Sequence, residues 1–295
     1  MSHFLCLDIG GTKIKYAVYN EASKRQSPIM QADSPVTESG NQICATVEQI
    51  ILEMKTHYAI QGVGVATAGV VDPEKGEIIY AGYTIPGYTG TKLAAFIEEK
   101  FGYPVTIEND VNAACLGEVS HSSDLTARGQ TIFCLTIGTG IGGAMMLDGQ
   151  LVRGAHFRGA EIGYMQIGSG LFQDVCSTKA LVDKVNARTG QIFQNGRQVL
   201  ATVKNGDQLV EQAIEEWIEQ LAYGLSNIIY CTDPSVIILG GGIMEESAFF
   251  GPRLARKLEQ VMISADFFQG EIRFAQYGNE AGLLGALYQI KEKVR

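Results

Sequence analysis

The chain is short of positive charge. Its 23 lysines and arginines face 32 aspartates and glutamates, a net charge of −9, and the basic residues form no block. Nucleic acid is therefore not an expected partner. Cysteine pairs are also missing: the six cysteines, at 6, 44, 115, 134, 176 and 231, are never closer than 19 residues. That spacing excludes CxxC redox pairs and the usual local zinc patterns. Cys6 and Cys134 lie among apolar neighbours and read as small core residues. No run reaches the about 18 apolar residues of a membrane span. Asp8 interrupts the only apolar run near the N-terminus, so no signal peptide is expected, and no linker or low-complexity stretch divides the chain. These absences predict a cytoplasmic globular protein.

Glycine is abundant instead, at 35 of 295 residues, which is room for one large or two medium domains. Many of the glycines cluster at Gly10-Gly11, between Gly138 and Gly143, and at Gly240-Gly241-Gly242. Around them the pattern is α/β. Residues 4–9 and 14–19 predict two strands about a Gly-Gly-Thr turn, and Ile43, Val47, Ile50, Ile51 and Met54 fall at helical spacing. "IQGVGVATAG" (60–69) reads as a buried strand entering a glycine turn, and 72–83 as a turn and a partly exposed strand. Leu93, Phe96 and Ile97 suggest a helix, and 103–110 a strand ending in polar residues. At 131–149 the strand–glycine–strand pattern begins again. Ile214, Trp217, Ile218, Leu221, Leu225 and Ile228 mark a long helix, 234–243 a buried strand, and 280–293 a closing helix with Gly282 and Ala286 on one face. Two α/β halves follow, with the boundary near 112–118: residues 1–115, joined by the closing helix 282–295, and residues 116–281.

Three glycine loops and one acidic junction carry the chemistry. "LDIGGTK" (7–13) ends a buried strand in Asp8 beside a loop with almost no side chains. Such a loop exposes backbone N–H groups to an anion, and the acid could hold a hydrated Mg²⁺ on the same phosphates; an ordinary hairpin turn is the alternative. "TIGTGIGG" (136–143) carries more glycine than a turn needs. "LGGGI" (239–243) could admit a flat base or offer a helix N-terminus to phosphate. In "IENDVNAA" (107–114), Glu108, Asn109 and Asp110 precede a helix; an Asn or Asp there caps a helix and can also accept a hydroxyl proton.

The order of these elements resembles the sugar kinase/actin/Hsp70 ATPase superfamily, and within it the ROK family of bacterial sugar kinases. The resemblance rests on "LDIGGTKIKYAV", "GVGVATAGVVDPEKGEI", "IPGY", "ENDVNAACLGE", "LTIGTGIGGA", "GAHFRGAEIGYM", "ILGGGI" and "EAGLLGAL", which together cover nearly the whole chain. It implies a two-domain, ribonuclease H-like actin-type ATPase fold with the active site in the interdomain cleft. It also implies ATP and Mg²⁺ as cofactors, a small sugar as substrate and a homodimer as the assembly. Asp110 would be the catalytic base, with Asn109 and Glu161 on sugar hydroxyls and Ala68, Gly69, Pro86 and Gly87 bordering the sugar. Gly10, Gly11, Thr12, Lys13, Thr139 and Gly140 would contact the ATP phosphates, Gly241 and Gly242 the adenosine, and Asp8 the Mg²⁺ through water.

The departures from the family pattern are informative. Tyr164 stands where most members carry a zinc-binding histidine, and the segment 165–182 holds only Cys176, so no zinc is expected. The second sugar-binding glutamate has no secure equivalent, Asp174 being a poorly aligned stand-in. "RGAE" inverts the small pair that usually precedes Glu161. These features resemble the β-glucoside kinase branch, which implies transfer of the ATP γ-phosphate to the 6-hydroxyl of a β-glucoside such as cellobiose or gentiobiose. Tyr164 would then face the second sugar ring. Glucokinase and N-acetylmannosamine kinase activities are alternatives. A ROK-type sugar-responsive repressor is disfavoured, because only seven residues precede Asp8 and that role needs a helix-turn-helix there.

Overall fold

The computed structural model describes residues 2–37, 40–82, 85–125, 129–168 and 170–295. Tyr83, at the end of the segment read as a partly exposed strand, and Ser169, within 165–182, lie outside the described residues. The chain divides into two compact units: residues 1–123 with 154–158 and 279–295, and residues 124–153 with 159–278.

The first unit is built on a five-stranded sheet. Its strands are β1 (His3–Ile9), β2 (Lys13–Asn20), β3 (Met30–Asp33), β4 (Ile60–Thr67) and β5 (Val105–Asn109), in the order β3-β2-β1-β4-β5. β2 runs antiparallel to both β1 and β3, and β1, β4 and β5 are parallel. Leu5, Leu7 and Ile9 enter one core while Phe4 and Cys6 are buried on the opposite face. Burial on both faces explains the continuous apolar run that opens the chain. Helices α1 (Ile43–His57), α2 (Leu93–Phe101) and α3 (Asp110–Ser120) belong to the same unit; α1 buries the five apolar residues whose spacing predicts it.

The C-terminal helix, Ala281–Val294, returns to this unit and packs on α3 and β4. The packing is backbone against backbone. A Cβ on Gly285 would lie 1.8 Å from the Ala113 carbonyl oxygen, and one on Gly64 would lie 2.3 Å from that of Ala286.

The second unit repeats the scheme. β6 (Thr131–Ile137), β7 (Ile141–Leu147), β8 (Gln150–Leu151), β9 (Val236–Gly240) and β10 (Glu271–Phe274) are ordered β8-β7-β6-β9-β10. Again the first three are antiparallel neighbours and β6, β9 and β10 are parallel. Among the described residues, the α-helices of the unit are α4 (Phe172–Cys176), α5 (Thr178–Thr189), α6 (Gly196–Lys204), α7 (Gln208–Thr232) and α8 (Ser247–Val261). The long α7 starts at Asp207, whose carboxylate accepts the Leu209 and Val210 N–H groups. Its apolar face, with fully buried Trp217, forms the centre of the core. Among the described residues no helix is long and apolar enough to cross a membrane.

The fold is therefore mixed α/β with one strand order used twice. The cysteines behave as small core residues in four cases: Cys6, Cys115, Cys134 and Cys176 are buried. Cys44 is half-buried and Cys231 exposed.

Candidate active site

In the first unit the chemistry-bearing residues collect where β1, β4 and β5 end. Register pairs Ile9 with Thr67 and Thr67 with Asn109. The parallel strands thus stop level and open one edge, the usual ligand side of such sheets.

Asp8 lies one residue before that edge, opposite Lys15. Burial pushes its carboxyl above the usual range, and the Lys15 ammonium, 3.6 Å away, draws it part of the way back. Gly282 stands beside it: a Cβ there would lie 3.4 Å from the carboxyl carbon. A single carboxylate with side-chain-free space next to it suits a hydrated Mg²⁺, which keeps most of its waters. The adjoining turn is closed by the Gly10 N–H donating to the Lys13 carbonyl at 3.0 Å. Ser34 holds the turn from outside, its hydroxyl donating to the Gly10 carbonyl at 2.6 Å. Gly11, Thr12 and Lys13 form the tip, with Thr12 and Lys13 exposed.

The acidic junction is more tightly built. Asn109 caps α3, its carbonyl oxygen accepting the Val111 and Asn112 N–H groups at 2.9 and 3.0 Å. Its amide NH₂ donates to the Gly69 carbonyl and to Asp110 Oδ1, both at 3.0 Å. Asn109 thereby uses all four of its hydrogen-bonding positions within the protein. Asp110 is half-buried at the first position of α3, and its Oδ1 also accepts the Val111 N–H at 2.9 Å.

Behind them Glu108 is 1% exposed, accepting from the Asn109 N–H, Asn112 Nδ2 and Gln289 Nε2, all at 3.0 Å. The loop carrying Pro86 and Gly87 joins the same edge. Buried Tyr88 and Thr67 share a hydrogen bond of 2.9 Å between their hydroxyls, and Asn41 Nδ2 donates to the Pro86 carbonyl at 2.9 Å. Gly69 adopts φ +101°, a conformation that favours glycine. Ala68, Gly69, Pro86, Gly87, Asn109 and Asp110 are thus assembled by Thr67, Tyr88 and Asn41, three residues that sequence reasoning passed over.

In the second unit the two remaining glycine loops meet. The Gly138 N–H donates to the Gly140 carbonyl at 2.9 Å, and the Thr178 N–H donates to the Gly138 carbonyl at 2.8 Å. Gly241, at φ +101°, lies so close to β6 that a Cβ would come 2.2 Å from the Ile137 carbonyl oxygen. Beside this pair opens a cavity of about 620 Å³, bounded by Thr139, Gly242 and Ile243, by Val182 and Asn186 of α5, and by the segment Phe193–Arg197. The α5 and α6 contributions were missed: they carry no motif and reach the loops only through tertiary packing.

Glu161 and Tyr164 flank a single 3₁₀ turn, Ile162–Tyr164, and both are exposed. That turn lies against β7, since a Cβ on Gly163 would be 2.3 Å from the Ile141 carbonyl oxygen. Ala160 takes φ +61°. Gly159 cannot trade places with it freely, because a Cβ at 159 would sit 2.7 Å from the Val152 carbonyl oxygen. Asp174 is exposed. Its neighbour Gln173 turns inward instead: Oε1 lies 3.3 Å from the positions of a Cβ on Gly140 and on Gly163. Cys176 is fully buried in the core, which pushes its thiol up to about 12. No group of three or more His, Cys, Asp or Glu converges on a metal position among the described residues.

A glycine hairpin on each repeated sheet, with Asp8 beside the first and a carboxylate fixed at a strand–helix junction, defines a nucleotide-handling α/β protein of the actin-like ATPase fold. The sequence profile of the ROK family matches residues 4–293, and the chain belongs to that family. A β-glucoside kinase of Listeria innocua is 32% identical over 302 residues, covering 97% of this chain and 96% of the relative. A ROK family glucokinase of Streptomyces griseus, solved with glucose and AMPPNP, superposes with a TM-score of 0.82 at 25% identity and covers 98% and 99% of the two chains. A ROK family protein of Streptococcus pneumoniae, solved with sucrose, gives 0.84 at 28% identity and 99% of each.

Proposed function

We propose that the protein is an ATP-dependent sugar kinase that phosphorylates the 6-hydroxyl of a hexose unit, with a β-glucoside as the favoured substrate. The observation that carries the reading is Asp110, an acid held at a helix N-terminus by Asn109 beside the Gly69 backbone. Asp110 takes the hydroxyl proton. The hydroxyl oxygen then bonds to the γ-phosphorus while the bond from that phosphorus to the β-phosphate oxygen breaks, and ADP leaves. Such a transfer depends on positioning and charge neutralisation rather than on covalent chemistry with the protein.

In this reading Gly10, Gly11, Thr12, Lys13, Thr139 and Gly140 contact the phosphates, with Gly241 and Gly242 at the adenosine. Asn109 acts by orienting Asp110 as much as by touching sugar, because its hydrogen bonds are already engaged. Ala68, Gly69, Pro86, Gly87, Glu161 and Tyr164 border the sugar. Mg²⁺, when bound near Asp8, neutralises phosphate charge. The β-glucoside preference is supported by the likeness to the Listeria enzyme and by Tyr164. A homodimer in the cytoplasm is part of the same proposal.

A coupled assay of ADP release across mono- and disaccharides tests the reading. Turnover should require added sugar, and sugar-independent hydrolysis at the same rate would refute it.

A further inference from the structure

The cavity beside the second and third glycine loops shows how its occupant would be recognised. Its deep wall is apolar: Val182 is 7% exposed, Ile243 is 3% exposed, and Phe193 packs partly buried against the core. The half-buried side-chain amide in the cavity belongs to Asn186, and both of its ends are engaged. Asn186 Oδ1 accepts the Phe193 N–H at 2.7 Å, and Nδ2 donates to the Phe193 carbonyl at 3.1 Å. This pair of hydrogen bonds is the pattern of a strand pair made by one side chain, and it latches the loop between α5 and α6 with Phe193 against the cavity.

Two further polar groups of the lining are committed within the protein. Asn195 Oδ1 caps α6 by accepting the Gln198 N–H at 3.1 Å. Thr178 Oγ1 donates to the Ile137 carbonyl at 3.2 Å. At the rim Lys179 pairs with Asp183, and Arg197 with Glu245. Gln194 is exposed.

We infer that this cavity holds a nucleotide base by shape and apolar contact, with Asn186 positioning Phe193, and that no buried side chain reads the edge of the base. The inference rests on the kinase reading for the identity of the ligand and extends it to donor range: guanosine nucleotides enter with adenosine nucleotides. A site built to hydrogen-bond a group rejects analogues lacking it by roughly 10⁴–10⁵, whereas an apolar pocket separates close analogues by only roughly 10–200-fold. A volume of about 620 Å³ lies well inside the roughly 300–1,000 Å³ of small-molecule sites and leaves room for either purine.

Titration calorimetry with ADP and with GDP in the presence of Mg²⁺ reads this directly. The two dissociation constants should agree within about 100-fold. ADP binding with GDP weaker by more than that would overturn the inference while leaving the kinase reading intact. Binding of both without phosphorylation of any sugar would remove the kinase reading and leave the pocket as described; binding of neither would remove both. Asn186→Ala should weaken ADP and GDP by the same factor, on the order of 10-fold. Asn186→Asp, which keeps the acceptor for the Phe193 N–H but sets a carboxylate oxygen against the Phe193 carbonyl, should recover none of that loss. A change of more than 10-fold in the ADP:GDP ratio in Asn186→Ala would show that this side chain reads the base and would overturn the inference.

Discussion

Asp110 and Asn109 divide two tasks that a single residue at a helix start often combines. Asn109 supplies the cap, and Asp110, one residue on, is clamped through Oδ1. Asp110→Asn retains an acceptor for the Val111 N–H and removes the basic oxygen. We expect kcat to fall by roughly 10²–10⁴ with a melting temperature close to wild type. Loss of stability with full turnover in the folded fraction would assign Asp110 to the cap instead. Asn109→Ala should do both kinds of damage, costing about 1–2 kcal/mol of stability for the lost cap and lowering kcat because Asp110 loses its amide donor. Kinetics and thermal melts on the two variants separate the roles. The acidic junction could be read from sequence because a strand running into Glu-Asn-Asp is chemically unusual. The division of labour could not, since either residue can cap and either can face a ligand. Thr67 and Tyr88 were illegible for another reason: each is an ordinary buried residue, and only the fold places their hydroxyls 2.9 Å apart.

Elements whose burial follows one period were readable. The β1–β2 and β6–β7 hairpins, α1 and α7 show it in their apolar spacing. α8 shows it too, at Phe250, Leu254 and Leu258; Gly251-Pro252 breaks the pattern as a helix breaker in sequence, yet the helix runs through Pro252. Burial of Phe250, Leu254 and Leu258 in the core outweighs the local cost. The C-terminal helix was readable in its small residues, whose purpose is the backbone contact with α3 and β4. Gly285→Ala would drive a methyl group into the Ala113 carbonyl. We expect a loss of about 1–3 kcal/mol, measured by denaturant unfolding, and a fall in activity because α3 carries Asp110; an unchanged midpoint would refute the close approach. Helix α4 is anchored differently. Phe172 is fully buried, and a Cβ on Gly224 of α7 would lie 2.3 Å from its ring. An aromatic key in a glycine notch can hold this segment without a metal, and Cys176 is buried in the core. Elemental analysis of protein purified without metal affinity resin should find well under one zinc per chain. Chelators should leave the melting temperature unmoved; stoichiometric zinc would overturn this.

At the scale of the molecule, one strand order serves two sheets, and each places a glycine hairpin at the end of its first strand. The sequence announced the repeat through glycine, since only a loop without side chains can close on a ligand's phosphates. It left open which sugar is used, because that depends on exposed residues that no packing constraint fixes. Tyr164 is such a residue. Its N–H donates to the Glu161 carbonyl at 3.3 Å, and the Met165 N–H donates to the Ile162 carbonyl at 3.0 Å. The short turn therefore presents the ring with 59% of the residue exposed, three positions from the Glu161 carboxylate. An exposed aromatic face beside a carboxylate suits a sugar ring, whose apolar face stacks on the aromatic while its hydroxyls bond the acid. A second glucose unit would gain that contact and a single one would not. We therefore expect kcat/KM for a β-linked glucose disaccharide to exceed that for free glucose. Tyr164→Ala should raise KM for the disaccharide roughly 3- to 10-fold, change it less for glucose, and leave kcat nearly constant, because a stacking contact with the second ring adds binding alone. Efficient turnover of glucose or N-acetylmannosamine with none of β-glucosides would assign this chain to another branch of its family and leave Tyr164 a surface residue without a part in recognition.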